Sequence, residues 1–443
     1  MASRADDPTT DETPTDESTT GIDVTAPPAG DSPRFYGHVV VVALASGFFA
    51  LIWFIVYSAL DELIWDNELV ETYWWLPSLI IMGFSLAVGL VVRYLHAPTS
   101  MEGSLLDEMT GDPTNIKWRR LPVTVLQSLI SLLAGAVVGP EGALGRFAGM
   151  IAEWYSERLH VPMALRGRLV FAAASSAYNG LLANPLFTAI LGVDVARKSS
   201  AVWSALPSNL LGGAIGFAVF YHLGSTGIAD FFGLEAVPTM TAVDMLWAVP
   251  WALVGMAMAI FAGLSMQVVQ AAFSRLADRP VARSLVAGVI LSLVSLAAPI
   301  LLFSGEHEIE EIVADPSAYG FWLLLAMAAA KLVLLAISLK SGYLGGPTFP
   351  VIFAATCVAL ASNIVFPEQP FVFIEAGVLA GALMTLFRTP LMVILLTAFF
   401  LGAGADVVAL IVISVVTVIV VLPVVEARLK STQARRANGG TGS

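Results

Sequence analysis

Gly139-Pro140-Glu141-Gly142 and, in the second half of the chain, Gly345-Gly346-Pro347 each open a short apolar segment, and these two openings decide the fold. A run of about ten to fourteen apolar residues cannot cross the hydrocarbon layer as a helix. Opened by glycine or proline in a membrane chain, such runs read as broken or re-entrant helices. Each opening is followed by a similar phrase: Asn184-Pro185-Leu186-Phe187-Thr188-Ala189-Ile190-Leu191 in one half, Thr389-Pro390-Leu391-Met392-Val393-Ile394-Leu395-Leu396 in the other. Glu141 and Gly346 stand 205 residues apart, and so do Pro185 and Pro390. One offset at two landmarks is an internal duplication. Broken helices at matching positions of a duplicated membrane chain are the sequence sign of a transport fold with its site near the bilayer midplane.

The rest of the composition agrees. The 443 residues are 57% hydrophobic and 13% charged, about half the charge fraction of a soluble domain, with mean hydropathy +0.81. His38–Leu60 and Tyr73–Leu95 exceed the ~20 apolar residues a spanning helix needs. Further apolar segments lie near 121–138, 142–157, 166–183, 186–196, 201–222, 245–275, 283–303, 318–338, 347–363, 372–387, 389–401 and 405–425. The expectation is an all-α polytopic membrane protein, without the alternation of outer-membrane strands. Its parts are a disordered acidic tail over 1–34, a first membrane repeat over 35–235, a second over 236–403, a final membrane helix over 404–426 and a short basic tail over 427–443.

Half of the net charge of −12 belongs to the first 34 residues, which hold eight acids against Arg4 and Arg34. Acidity that sits in a Pro-, Thr- and Asp-rich tail implies no basic partner and argues against nucleic acid. The tail lacks the basic start and apolar centre of a signal peptide. Lys117, Arg119 and Arg120, then Arg197 and Lys198, then Arg428, Lys430, Arg435 and Arg436 cluster beside segment ends. The positive-inside rule therefore places the C-terminus in the cytoplasm of a multi-pass cell-membrane protein. The acidic run Glu306-His307-Glu308-Ile309-Glu310-Glu311 reads as a solvated outer loop rather than a metal site, and Cys357 has no intrachain disulfide partner.

A helix that begins inside a membrane leaves its first N–H groups without backbone partners, and its dipole adds partial positive charge there. Each opening is thus a candidate anion site. Gly139, Gly142, Gly345 and Gly346 clear side chains from the place where an anion would reach amides, and Pro140 and Pro347 suit a first helical turn. The chemistry fits a dehydrated anion held by N–H groups rather than by a buried Lys or Arg. Glu141 stands in this site, where an isolated carboxylate is costly. It offsets that cost by occupying the site itself, as an anion on a short tether that leaves when protonated or displaced. Two plainer roles stand beside this one: neutralising the helix start, and pairing with Arg146 one turn later.

Gly139-Pro140-Glu141-Gly142-Ala143 resembles the glycine-x-glutamate-glycine-proline gating motif of the CLC family of chloride channels and chloride/proton exchangers. Ser341-Gly342-Tyr343-Leu344-Gly345-Gly346-Pro347-Thr348-Phe349-Pro350 resembles that family's later glycine-rich motif, and Glu375-Ala376-Gly377, Ala380, Ala382-Leu383, Arg388 and Pro390-Leu391 follow the phrase before its penultimate helices. Asn184-Pro185-Leu186 fits its asparagine-x-proline-leucine element with one residue removed. The resemblance covers most of 90–425. It implies a CLC-like inverted-repeat bundle with broken and re-entrant helices, a homodimer with one anion pathway per subunit, a lipid bilayer around it, and neither cofactor nor metal.

Carried over residue by residue, the resemblance makes Glu141 the gate and Ser100 the serine whose hydroxyl contacts the central anion. The anion site is then expected at Ser100, Gly139, Pro140, Glu141, Gly142, Gly346, Pro347 and Thr348. Pro347 falls where the family offers an amide; proline has none, and the Thr348 hydroxyl is the available replacement. The proton-transfer glutamate of the exchangers falls on Val195, which carries no proton, beside Asp194. The inner-gate tyrosine falls near Val425. These departures favour passive, glutamate-gated conduction of chloride or a similar small anion. The alternatives are a chloride/proton antiporter with a relocated proton donor, starting at Asp194, and a fluoride carrier of the same family. No Walker loop, HExxH or dinucleotide fingerprint points to an enzyme. An intramembrane hydrolase would need Glu141 to meet Asp194 or Glu375 at one depth.

Overall fold

The computed structural model describes residues 32–98, 117–182, 184, 186, 200–224 and 240–439. In chain order the helices are α1 (Pro33–Trp65), α2 (Glu68–Thr72), α3 (Leu76–Leu95), α4 (Leu121–Leu133), α5 (Glu141–Arg158), α6 (Met163–Leu181), α7 (Ser200–Leu223) and α8 (Ala242–Phe273). Then follow α9 (Pro280–Ala297), α10 (Glu306–Ala314), α11 (Gly320–Ser341), α12 (Thr348–Val365), α13 (Phe371–Phe387), α14 (Pro390–Phe400) and α15 (Ala405–Gly439). Among the described residues, seven helical stretches are long and apolar enough to cross a membrane. The all-helical polytopic reading holds.

The two halves repeat one packing scheme. α1, α6 and α7 pack pairwise in the first half, as α8, α13 and α15 do in the second. Small residues let these backbones approach. A Cβ on Gly216 would strike the Ser176 backbone, and one on Gly381 the Ala252 backbone, the close contact that holds membrane helices together where lipid is as apolar as the interface. α3 and α9 join the halves through a serine seam, in which Ser78 Oγ donates to Ser292 O and Ser292 Oγ to Ser78 O, both at 3.1 Å. Faces without such partners carry Ile52, Ile55, Leu293 and Val420, all exposed, as suits contact with lipid.

Helix ends follow local chemistry more closely than hydropathy does. The Ser32 hydroxyl accepts from Phe35 N–H at 3.3 Å and Pro33 sits in the first turn, so α1 begins five residues before its apolar run. The segment expected over 121–138 stops at Leu133; Gly135 takes φ +69°, and Ala136–Val138 continue as apolar but non-helical chain. The segment expected over 283–303 ends as α helix at Ala297, before Pro299. The run expected as an acidic loop is instead α10: Ile309 and Ile312, three apart, are buried and α10 packs on α12. α12 itself is buried from Thr348 to Ala361, which puts its first turn deep in the protein.

Candidate anion site

Two helices start against each other. The extended residues before them pair as a minimal antiparallel bridge: Gly139 N–H donates to Gly346 O and Gly346 N–H to Gly139 O, each at 2.7 Å. α5 begins two residues after Gly139 and α12 two residues after Gly346. Pro140 (φ −67°) and Pro347 (φ −91°) are the residues immediately before the first helical ones, one position earlier than a first turn. A Cβ on Gly142 would lie 2.5 Å from Gly345 C and 2.6 Å from Gly346 Cα, so this close approach requires glycine.

Into this junction Glu141 directs its carboxylate. Thr348 N–H donates to Glu141 Oε1 at 2.8 Å. Glu141 is 4% exposed, and Oε2 is buried without a hydrogen-bond partner. A Cβ on Gly346 would land on the same carboxylate. Since Pro347 has no N–H, Thr348 provides the first amide of α12, and its main-chain N–H makes this bond. An anion thus already occupies a helix N-terminus, and it belongs to the protein. The carboxylate at the start of α5 thus meets an amide in the first turn of α12.

Buried polar residues that hydropathy passes over hold the junction. Gln127 Nε2 donates to Gly342 O at 2.7 Å; Ser131 Oγ accepts from Leu344 N–H at 2.9 Å and donates to Gln127 O at 2.7 Å. From the other side, Ser338 Oγ accepts from Val137 N–H at 3.0 Å. Tyr343 OH donates to Ser85 Oγ at 2.7 Å. So α4 holds the chain that leads into α12, and α11 holds the chain that leads into α5. Gln127 and Ser131, four apart in an apolar helix, are the signal a sequence offers; Ser338 and Tyr343 offer none.

Gly139, Pro140, Glu141, Gly142, Gly346, Pro347 and Thr348 therefore come together. Ser100, Asp194 and Val195 lie outside the described residues. Val425 is half-buried on α15, next to Glu426, whose carboxylate pairs with the exposed Arg388. Lys331 is fully buried: its Nζ donates to Leu302 O at 2.8 Å and lies 4.3 Å from the Phe353 ring centre. Glu375, also fully buried, accepts from Thr356 Oγ1 at 3.1 Å. Thr356 is eight residues beyond Thr348, roughly 12 Å along α12, so Glu141 and Glu375 do not form an acid pair at one depth.

A family model described as voltage gated chloride channel matches residues 83–422. The "Putative ion-transport protein YfeO" of Escherichia fergusonii is 24% identical over 363 residues, covering 79% of this chain and 84% of the relative. The protein of the same name from Escherichia coli O7:K1 matches to the same extent. Among solved structures, a slow cyanobacterial Cl−/H+ antiporter superposes with TM-score 0.71 at 20% identity, covering 87% of this chain and 94% of that one. A CLC-type fluoride/proton antiporter gives 0.72 at 16% identity with the same coverages. A eukaryotic CLC transporter gives 0.67 at 18%, covering 88% of this chain and 71% of that one.

Proposed function

This chain belongs to the voltage gated chloride channel family, and is thus a membrane transport protein and not an enzyme; from that premise we propose that it conducts chloride or a similar small anion passively, with Glu141 as its gate. One observation carries the reading: Glu141 Oε1 accepts the first amide of α12 at 2.8 Å. A permeant anion needs the same donor. The N-terminal amides and dipole of α12 supply favourable potential without a buried cation, and Glu141 consumes it while ionised. On protonation the carboxyl loses its charge, the attraction weakens, and an arriving anion takes the amide.

The remaining site follows from the sequence. By resemblance to the family, Ser100 would contact the anion through its hydroxyl, and Val425 falls near the inner-gate position. Val195 replaces the exchangers' proton carrier, which supports passive flow over obligatory exchange. The names of the superposed structures, a Cl−/H+ and a fluoride/proton antiporter, support the second reading: exchange, with a relocated donor beginning at Asp194. We place α10 on the outer face and the C-terminus in the cytoplasm, in the cell membrane, as a homodimer with one pathway per subunit.

The test is chloride efflux from liposomes at two external pH values, with internal pH recorded and the membrane potential clamped. Efflux should rise as the outer solution is acidified, with no proton movement, and Glu141→Gln should remove most of that dependence. Uphill proton movement would replace the passive reading with exchange. Unchanged pH dependence in Glu141→Gln would remove Glu141 as the gate.

A further inference from the structure

The far end of α5 lines a cavity that the gate does not use. It encloses about 320 Å³ between the turn Trp118–Arg120, the start of α4 and the last turns of α5. Leu121 and Pro122 of α4 and Met150, Ile151 and Trp154 of α5 form its apolar lining, to which Arg119 adds a charge. Broken helices at matching positions set the start of α5 near the bilayer midplane. Along the helix axis from Glu141, Met150 then stands roughly 14 Å away and Trp154 roughly 20 Å, on either side of the ~15 Å half-thickness of the hydrocarbon layer. The cavity therefore straddles the boundary between acyl chains and headgroups. Pro122, part of its lining, and Leu126, one turn on, are exposed, so it adjoins an apolar face of α4.

We propose that this cavity is a binding site for an anionic phospholipid of the cytoplasmic leaflet, with an acyl chain against Leu121, Met150 and Ile151 and the phosphate on Arg119. Charge complementarity selects the occupant. Lys117, Arg119, Arg120 and Arg158 are exposed at this end, and none of them forms an ion pair with a described residue. Arg158, in the last turn of α5, stands four residues after Trp154 and so on the same face. The Arg119 guanidinium carbon lies 5.4 Å from the Trp118 ring centre. Trp118 Nε1 in turn donates to Glu157 Oε2 at 2.5 Å. That bond engages the acid of the rim and ties the turn that carries Arg119 to the end of α5. Several cations at the mouth of an apolar cleft between membrane helices hold an acidic headgroup on the cytoplasmic side, and indole rings suit the same depth. A zwitterionic headgroup brings its own cation to this rim and gains less.

The test is native mass spectrometry of the purified protein with dioleoyl phosphatidylglycerol or dioleoyl phosphatidylcholine added to the detergent. Phosphatidylglycerol should be retained where phosphatidylcholine is lost, and should raise the thermal unfolding midpoint more. Arg119→Gln should weaken its binding about fivefold, the effect of one cation near a membrane surface. Leu121→Trp, which fills the cavity, should remove the retained lipid. Arg275→Gln, an exposed cation between α8 and α9, should remove none, and inorganic phosphate should not displace the lipid. Equal retention of the two lipids overturns the proposal. So does retention that Leu121→Trp leaves unchanged, because the lipid then lies outside the cavity; a lower thermal midpoint of that variant in lipid-free detergent would further show that another part of the chain fills it. Should Leu121→Trp fail to fold, Arg119→Gln combined with Arg158→Gln decides: binding about 25-fold weaker supports the site, and wild-type binding overturns it. The site does not depend on Glu141 being the gate, so loss of either reading leaves the other standing.

Discussion

The start of α5 and the start of α12 are built alike and do opposite things. Each is preceded by a glycine in extended chain and a proline, and the two glycines bond to each other reciprocally at 2.7 Å. At α5 the first helical residue is Glu141, which brings a negative charge; at α12 it is Thr348, whose amide receives that charge at 2.8 Å. Matched at their first helical residues, the two starts set Glu141 opposite Thr348, 207 residues on, so one half carries a carboxylate where the other carries a hydroxyl. Duplication supplied two electropositive helix ends, and divergence turned one into the holder of an anion and the other into its seat. The proposed gate therefore needs no mechanism of its own, because it is the start of one helix lodged against the start of the other.

The comparison is broken most severely at Gly142. A methyl group there meets the Gly345–Gly346 backbone, which the α4 bonds hold in place, so Gly142→Ala should lower stability by about 2 kcal/mol or more. Thermal unfolding of the purified protein should show this as a lower midpoint, with anion flux lost at every pH. Gly346→Ala sharpens the comparison instead, because its methyl falls first on the Glu141 carboxylate, the end of a movable side chain, and only then, at 2.8 Å, on Gly142 N. The acid should be evicted and the seat partly filled. Flux should then be below the wild-type maximum but nearly equal at acid and neutral external pH, and a retained pH response would show that Glu141 does not act from this position.

Much of this was legible before the fold was known. Gly139-Pro140-Glu141-Gly142 and Gly345-Gly346-Pro347 announce helices that start within the membrane, because glycine and proline in apolar chain have few other uses; the structure matches the two openings at an offset of 207 rather than the 205 read from the sequence. The reciprocal glycine bridge was not legible, since it joins residues 207 apart and no local pattern encodes it. Nor was the end of α4: Ala136-Val137-Val138 is as apolar as the helix before it, and hydropathy cannot separate helical from extended chain. The run 305–311 was misjudged because its charges were weighed above Ile309 and Ile312, whose spacing of three is the helical signal and whose burial fixes α10 on α12.

Glu375 provides the smallest effect and the sharpest control. Like Glu141 it is a buried acid beside α12, but it sits roughly two turns along that helix, where no free amides point inward, and its Oε1 has the Thr356 hydroxyl as donor at 3.1 Å. Burial alone does not make a gate; the difference lies in what the carboxylate faces. In Glu375→Gln the amide oxygen can still accept from Thr356, so stability should change by less than about 1 kcal/mol, and the external pH of half-maximal flux should match wild type. A shift of that midpoint by about one unit would place Glu375 on the proton route, and the pH response would then depend on acids spread along α12 instead of on the meeting of two helix starts.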